Sequence, residues 1–168
     1  MTKAAQRDLA GAHVAFPARI DLVRADVVTR QQGMRHMSIS GVQDKISLRL
    51  ERGQLRAVDR DGTHLLKPIP SAALHLVEDV PANEHITMLA ARTLGLRTAA
   101  QGLIRLADGE LAYVTRRFDR LSDGTRLHQE DLGVLLGASP ATRGPNGKYE
   151  ASYEEMGRVI AAHSAASQ

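Results

Sequence analysis

The clearest alternation of apolar and polar positions begins at Lys45. Ile46, Leu48 and Leu50 alternate with Ser47, Arg49 and Glu51, the period of two expected of a half-buried strand. Arg52-Gly53 supplies a turn and Gln54 to Val58 returns as a partner, so a hairpin is predicted. Asp61-Gly62 is a second turn, leading into Thr63-His-Leu-Leu-Lys67. That strand stops at Pro68 and Pro70, because proline cannot donate to a sheet ladder. After a loop rich in Ser, Ala and Pro, Asn83 is the expected N-cap of a helix over Glu84 to Leu94. Ile86, Leu89, Ala90 and Leu94 make its apolar stripe, and Gly95 supplies the stop. Gly102 to Leu106, the turn Asp108-Gly109 and Glu110 to Thr115 predict a second hairpin.

The two ends are less regular. Residues 1–36 show little sustained periodicity, with Pro17 interrupting them and only Val23, Val27 and Val28 hinting at a short helix. In the last third, Gln129 to Leu136 reads as a short amphipathic helix ending at Gly137. Ser139 to Gly147 is dense in turn residues, and Ser152 with Glu155 forms a capping-box pair ahead of a helix to about His163. Strand hairpin, strand, helix, strand hairpin and then helices is an α+β order, with a mostly antiparallel sheet carrying one helix. It is also the order of a protein-kinase small lobe followed by the start of its large lobe.

Composition narrows the chemistry. At 168 residues, 43% hydrophobic and 24% charged, the chain is the size of one ordinary domain, or of a larger one cut short, and can build a packed core. Two Phe, three Tyr and no Trp leave that core to aliphatic residues and argue against binding of single strands by base stacking. The absence of Cys excludes disulfide scaffolds, cysteine zinc sites, iron–sulfur ligation and thiol nucleophiles. No window approaches a membrane span and the first residues lack the apolar run of a secretory signal, so a cytoplasmic protein with no membrane partner is expected. The net charge of +3 is uneven: residues 1–60 carry 11 Lys/Arg against 6 Asp/Glu, and the remainder is slightly acidic. A basic first third suits a phosphate-bearing partner; the alternative is a solvated arm.

Three segments carry candidate chemistry. Ser38-Ile-Ser-Gly-Val-Gln-Asp-Lys45 could cradle phosphate on backbone N–H groups around Gly41, with Lys45 adding a point charge, or be a plain turn. Lys67 ends an apolar strand, where a kinase-like lobe places the lysine that reaches nucleotide phosphates, and Glu84 is the carboxylate available to orient it. Each is otherwise an ordinary strand end and an ordinary helix N-terminus. Thr115-Arg-Arg-Phe-Asp-Arg120 suits a nucleotide-binding connector, with Asp119 for a ribose hydroxyl, or a basic turn with Phe118 packed inward. The seven His show no paired metal spacing, and neither Walker A, Gly-x-Gly-x-x-Gly nor Gly-x-Ser-x-Gly occurs.

Taken together, six runs in order resemble the HipA family of bacterial serine/threonine kinase toxins. They are Met37 to Lys45, Leu65-Leu-Lys-Pro68, Asn83-Glu-His85 with Leu94-Gly-Leu96, Tyr113 to Arg120, His128 to Asp131, and Lys148-Tyr-Glu150 with Ser152-Tyr-Glu154. The resemblance implies a HipA-type small lobe over 37–120, an N-terminal arm over 1–36, and the incomplete beginning of a helical large lobe over 121–168. It implies that Gly41, Val42, Gln43 and Lys45 lie in an ATP phosphate loop, that Lys67 contacts the phosphates, and that Arg116, Arg117 and Phe118 flank the adenine. Ser38 and Ser40 match loop serines that such kinases autophosphorylate, silencing the enzyme by placing about −1.5 to −2 charge where phosphate should sit.

The Ser-Ile-Ser form and the short segment ahead of it look most like HipT, the kinase subunit of three-component HipBST systems. The partners implied are a HipB-like helix-turn-helix antitoxin, through which alone DNA is contacted, and a separate HipS-like small subunit. An aminoacyl-tRNA synthetase is the implied kind of substrate. The family's catalytic Asp and magnesium ligands are expected beyond residue 168, so this chain alone is expected to be inactive. The alternative is a truncated, non-catalytic module that binds nucleotide or antitoxin partners.

Overall fold

A computed structural model describes residues 2–11, 15–33, 44–71, 75–121, 123–138, 142 and 150–163. The chain divides into two compact units, Met1–Arg120 and Leu121–Gln168. Helices and strands together make an α+β fold.

The first unit is built on a five-stranded antiparallel sheet: β1 (Ile46–Glu51), β2 (Gln54–Ala57), β3 (His64–Lys67), β4 (Gln101–Arg105) and β5 (Leu111–Arg116), ordered β2-β1-β3-β5-β4. Both hairpins fall where the alternation places them. Arg52 and Gly53 both take positive φ (50° and 77°), the backbone of the tight turn that matches strand twist. Gly62 is required for a different reason: a Cβ there would stand 1.9 Å from Ser47 Oγ and 3.0 Å from the Leu48 carbonyl oxygen. Ser47 is accordingly buried although it falls on a polar position of the alternation.

The pairing registers sort the side chains onto two faces. Ile46 opposes Leu66 and Leu66 opposes Val114, while Leu48 opposes His64 and Ile104 opposes Ala112. These cross-strand partners share one apolar face. On the other face Lys67 opposes Tyr113, Tyr113 opposes Leu103, and Thr115 opposes Gln101. One sheet therefore has a greasy back and a polar front.

The amino-terminal third covers the back. It holds two helices, α1 (Lys3–Ala10) and α2 (Arg24–Gly33), and is not a solvated arm. Leu9, Phe16, Ile20 and Val27 are buried in one cluster with Ile46, Leu48, Leu66, Ile104 and Val114. Between the helices the chain lies along β4: Ile20 N donates to the Arg105 carbonyl (2.9 Å), Arg105 N to Ala18 (3.2 Å) and Ala107 N to Leu22 (2.9 Å). This pairing, with a parallel bridge between Arg19 and Arg105, covers a sheet edge that would otherwise present unpaired donors and acceptors. Among the described residues of this stretch Phe16 and Ile20 are buried and Leu22 is half-buried against the same cluster, a spacing that gives no period of two from Phe16 onward.

Two predicted helices shift. α3 spans Val80–Thr93 behind a 3-10 turn at Val77–Asp79, four residues ahead of the expected start, with Pro81 in its first turn. Asn83 is thus inside the helix, its carbonyl accepting from Thr87 Oγ1 at 2.8 Å, and is no cap. In the second unit the predicted Gln129–Leu136 helix is the single turn α4 (Leu132–Leu135), because Asp131 Oδ1 accepts from Gly133 N at 2.7 Å and fixes the start there. α5 (Tyr153–His163) opens on the predicted capping box, with Ser152 N bonded to Glu155 Oε2 (2.8 Å) and Glu155 N to Ser152 Oγ (3.1 Å). Among the described residues no helix is long and apolar enough to cross a membrane.

His64 fastens α1 to the back of the sheet. Its Nε2 lies 3.0 Å from the Leu9 carbonyl oxygen, which can only accept, so Nε2 carries the proton. Nδ1 then accepts from the Thr63 hydroxyl at 2.8 Å, and that oxygen accepts in turn from Leu50 N at 3.3 Å. Burial, reinforced by the nearby Arg116 charge and opposed by the bond to Leu9, holds the imidazole below its ordinary pKa of 6.5. Because the folded state prefers neutral His64, its contribution to stability is complete above pH 6.5 and is lost as the pH falls from there toward the folded value. Chemical denaturation should show stability falling below pH 6.5, and less so in His64→Gln, whose amide can still donate to Leu9. Leu9→Ala, which opens a cavity beneath the sheet, should cost about 2–5 kcal/mol in the same assay.

Candidate functional site

The polar front of the sheet gathers the candidate residues where β3 ends. Pro68 stops the ladder directly after Lys67, which leaves the lysine at the last paired position, facing forward. α3 crosses this face, in contact with β5 and β4. Glu84, in the second turn of α3, places Oε1 2.5 Å from Lys67 Nζ. The two side chains are 23% and 26% exposed, so the pair is shielded yet open to solvent. Lys67 Nζ also stands 5.6 Å from the centroid of the Tyr113 ring, its cross-strand neighbour. Tyr113 is fully buried, and its phenol is pushed up to about 12, chiefly by burial and then by the Glu84 carboxylate, with the Thr115 hydroxyl opposing. An uncharged phenol therefore floors the site at neutral pH, and Lys67 brings the positive charge above it.

More positive charge lies on the same face. Arg49 opposes Arg56 across β1 and β2, and Arg49 is steadied by the Asp61 carbonyl through Nε (3.1 Å) and a terminal nitrogen (3.0 Å). Continuing the β1–β3 register one residue past Ile46 and Leu66 sets half-buried Lys45 beside Lys67. Just ahead, Asp44 Oδ2 accepts from both Ser71 N (2.7 Å) and Ser71 Oγ (2.6 Å), tying the entry of β1 to the segment that leaves β3. Ser38, Ser40, Gly41, Val42 and Gln43 lie outside the described residues.

The connector after β5 departs from expectation. Arg116 opposes His64, so its side chain belongs to the back face, where its guanidinium passes beside Gly11. Its N–H is spent on the Ala100 carbonyl (2.8 Å), and that of Arg117 on Thr63 (2.9 Å). Phe118 is 67% exposed, so it does not pack inward as a simple basic turn would require. Asp119 is 4% exposed and fully engaged: Oδ1 and Oδ2 accept from Arg117 at 2.9 and 2.7 Å, and Oδ2 also accepts from Arg120. The Arg117 hydrogen bonds, more than any other influence, hold the Asp119 carboxyl below its usual range. A ribose hydroxyl would have to displace an arginine to reach this carboxylate, so Asp119 serves as the rivet of the connector.

Tyr113, His85 and Gln101 complete the site; none was given a site role from sequence, although His85 and Tyr113 fall in runs that carry the family resemblance. His85 Nδ1 and Gln101 Oε1 are 2.5 Å apart, bridging α3 to β4. The signal for Tyr113 was its place opposite Lys67, which only the strand pairing reveals. Among the described residues no group of three or more His, Cys, Asp or Glu could hold a metal ion.

Known proteins share this arrangement of sequence. The model of the HipA-like C-terminal domain matches residues 37–168. A Haemophilus influenzae protein named "Putative kinase" is 30% identical over 155 residues, covering 88% of this chain and 44% of that protein. "Putative kinase Y4mE" of Sinorhizobium fredii is 37% identical over 120 residues, covering 67% of this chain and 27% of that protein. The chain thus spans less than half the length of these relatives.

Replacing Asp119 by Ala leaves two arginines facing each other without their carboxylate. We expect a loss of about 2–4 kcal/mol in denaturant unfolding, below the full cost of breaking a buried pair because both arginines retain some solvent. Arg117→Lys, which keeps the charge but not the forked geometry, should recover only part of it.

Proposed function

Because the chain belongs to the HipA-like C-terminal domain family, we propose that its first unit is the nucleotide-holding lobe of a HipT-like serine/threonine kinase toxin. The observation that carries this reading is the Lys67–Glu84 pair, 2.5 Å long and set over the buried Tyr113 ring. An ammonium steadied by a helix carboxylate at the end of an inner strand is what phosphate positioning requires, since phosphoryl transfer depends on placement and charge neutralisation. ATP, bound here, would supply the phosphoryl group. Lys67 and Lys45 would bind its phosphates, with Gly41, Val42 and Gln43 as the loop above them. The adenine would lie by the connector, where exposed Phe118 offers an apolar surface and Arg117 is held still by Asp119.

Magnesium does not fit the described residues, which offer no cluster of ligands for it. The whole kinase would phosphorylate a translation enzyme such as an aminoacyl-tRNA synthetase, within a toxin–antitoxin system with a HipB-like antitoxin and a HipS-like subunit. Phosphorylation of Ser38 and Ser40 would silence it by putting negative charge ahead of Lys45.

The test is thermal unfolding of the 168-residue chain with ATP, with and without magnesium. Nucleotide at ten times its Kd contributes about 1.4 kcal/mol, a rise in Tm of about 3–6 °C for a chain of this size. Lys67→Met should shift the midpoint of the titration at least tenfold. A wild-type chain indifferent to ATP at millimolar concentration would sink the proposal for this polypeptide.

A further inference from the structure

α3 sits on the sheet in an unexpected rotation. Ile86, Leu89 and Leu94, the apolar stripe of its sequence, are 61%, 44% and 80% exposed. The side turned toward the sheet is instead Pro81, Glu84, His85, Met88 and Ala91, which are buried or half-buried and follow the helical spacing of three and four. Burial of apolar area would favour a different rotation, so within this unit something else selects the one observed.

Two polar attachments account for it. Glu84 and His85 are adjacent and therefore diverge by about 100° around the helix. Glu84 reaches β3 through Lys67, and His85 reaches β4 through Gln101, so the two contacts straddle β5, the strand between those two, with Tyr113 beneath. Gln101 is 8% exposed and rigidly placed in the ladder opposite Thr115. Its Oε1 can only accept, so His85 Nδ1 is the donor. One contact alone would let the helix roll; two on opposite sides of β5 fix its angle.

We propose that His85 and Gln101 are positioning residues: their hydrogen bond sets the rotation of α3, and that rotation delivers the Glu84 carboxylate to Lys67. The pair acts through Glu84 and does not itself touch a ligand. Its consequence for phosphate binding rests on the nucleotide reading above, whereas its effect on Lys67 does not.

The experiment reads Lys67 directly. The 168-residue chain is treated with an amine-acylating reagent and the rate of Lys67 modification is followed by mass spectrometry, with exposed Lys3 as internal reference. His85→Leu should raise the Lys67 rate relative to Lys3 about fivefold, the factor for losing an ion pair worth about 1 kcal/mol at 1.4 kcal/mol per tenfold. His85→Asn, whose amide nitrogen can stand near the Nδ1 position, should restore the rate to within about twofold of wild type. Gln101→Leu approaches from the other side and serves if His85→Leu fails to fold. Equal rates in wild type and both leucine variants, or an asparagine variant as reactive as the leucine one, overturns the proposal. ATP titration of the same variants separates the two readings. Discrimination between Leu and Asn without nucleotide binding by the wild type keeps the positioning role and removes the nucleotide one; binding without discrimination does the reverse.

Discussion

A sheet with one apolar and one polar face must have its apolar face covered, and the rest of this molecule follows from how that is done. Leu66 and Val114 at the centre of the back cannot face water, and Leu9, Phe16, Ile20 and Val27 are what meets them. Covering the back with a segment from before the first strand leaves the front free for a single helix. On that free front a lysine can be paired, shielded and still reached by solvent. The burial that stabilises the unit and the chemistry assigned to it thus use opposite faces of the same five strands.

The two faces also differ in how they hold their helices. α1 is drawn in by hydrophobic contact and checked by one neutral imidazole, so its attachment weakens with acid. α3 is held at its inner side by Lys67 and Gln101 while its apolar stripe stays outside. Polar contacts are weaker than burial but far more directional, which is the property a carboxylate aimed at one ammonium needs.

How much of this was legible in the sequence depended on whether the determinant was local. The hairpins were, because alternation from Ile46 to Leu50 and turns such as Arg52-Gly53 are written in adjacent residues. The Lys67–Glu84 juxtaposition was expected only by analogy with a kinase-like lobe, in which a strand-end lysine meets a carboxylate of the next helix; the contact itself is 2.5 Å. The role of residues 3–33 was not legible, because α1 buries only Leu9 and its partners lie on strands 55 or more positions away. The rotation of α3 was misjudged for the same reason: the apolar stripe is local information, whereas the partners that override it, Lys67 and Gln101, lie on separate strands. The engagement of Asp119 was not legible either, because the forked contacts with Arg117 that occupy its carboxylate are visible only in three dimensions.

The lacing of the amino-terminal segment along β4 has a consequence for biosynthesis. Arg19, whose guanidinium donates to the Ala107 carbonyl, meets its acceptor 88 positions later in the chain. At about 5–20 residues per second, a ribosome needs roughly 4–18 s to make that stretch. Throughout that interval the backbone of residues 18–22 lacks the β4 edge it pairs with, although Ile46, Leu48 and Leu66, which share a cluster with Phe16 and Ile20, are made sooner. Fast local hairpins cannot relieve this, since the strand that receives the segment is the fourth of five. The newborn chain therefore carries the unpaired backbone of residues 18–22 until β4 is made, and a holding chaperone has that window in which to act.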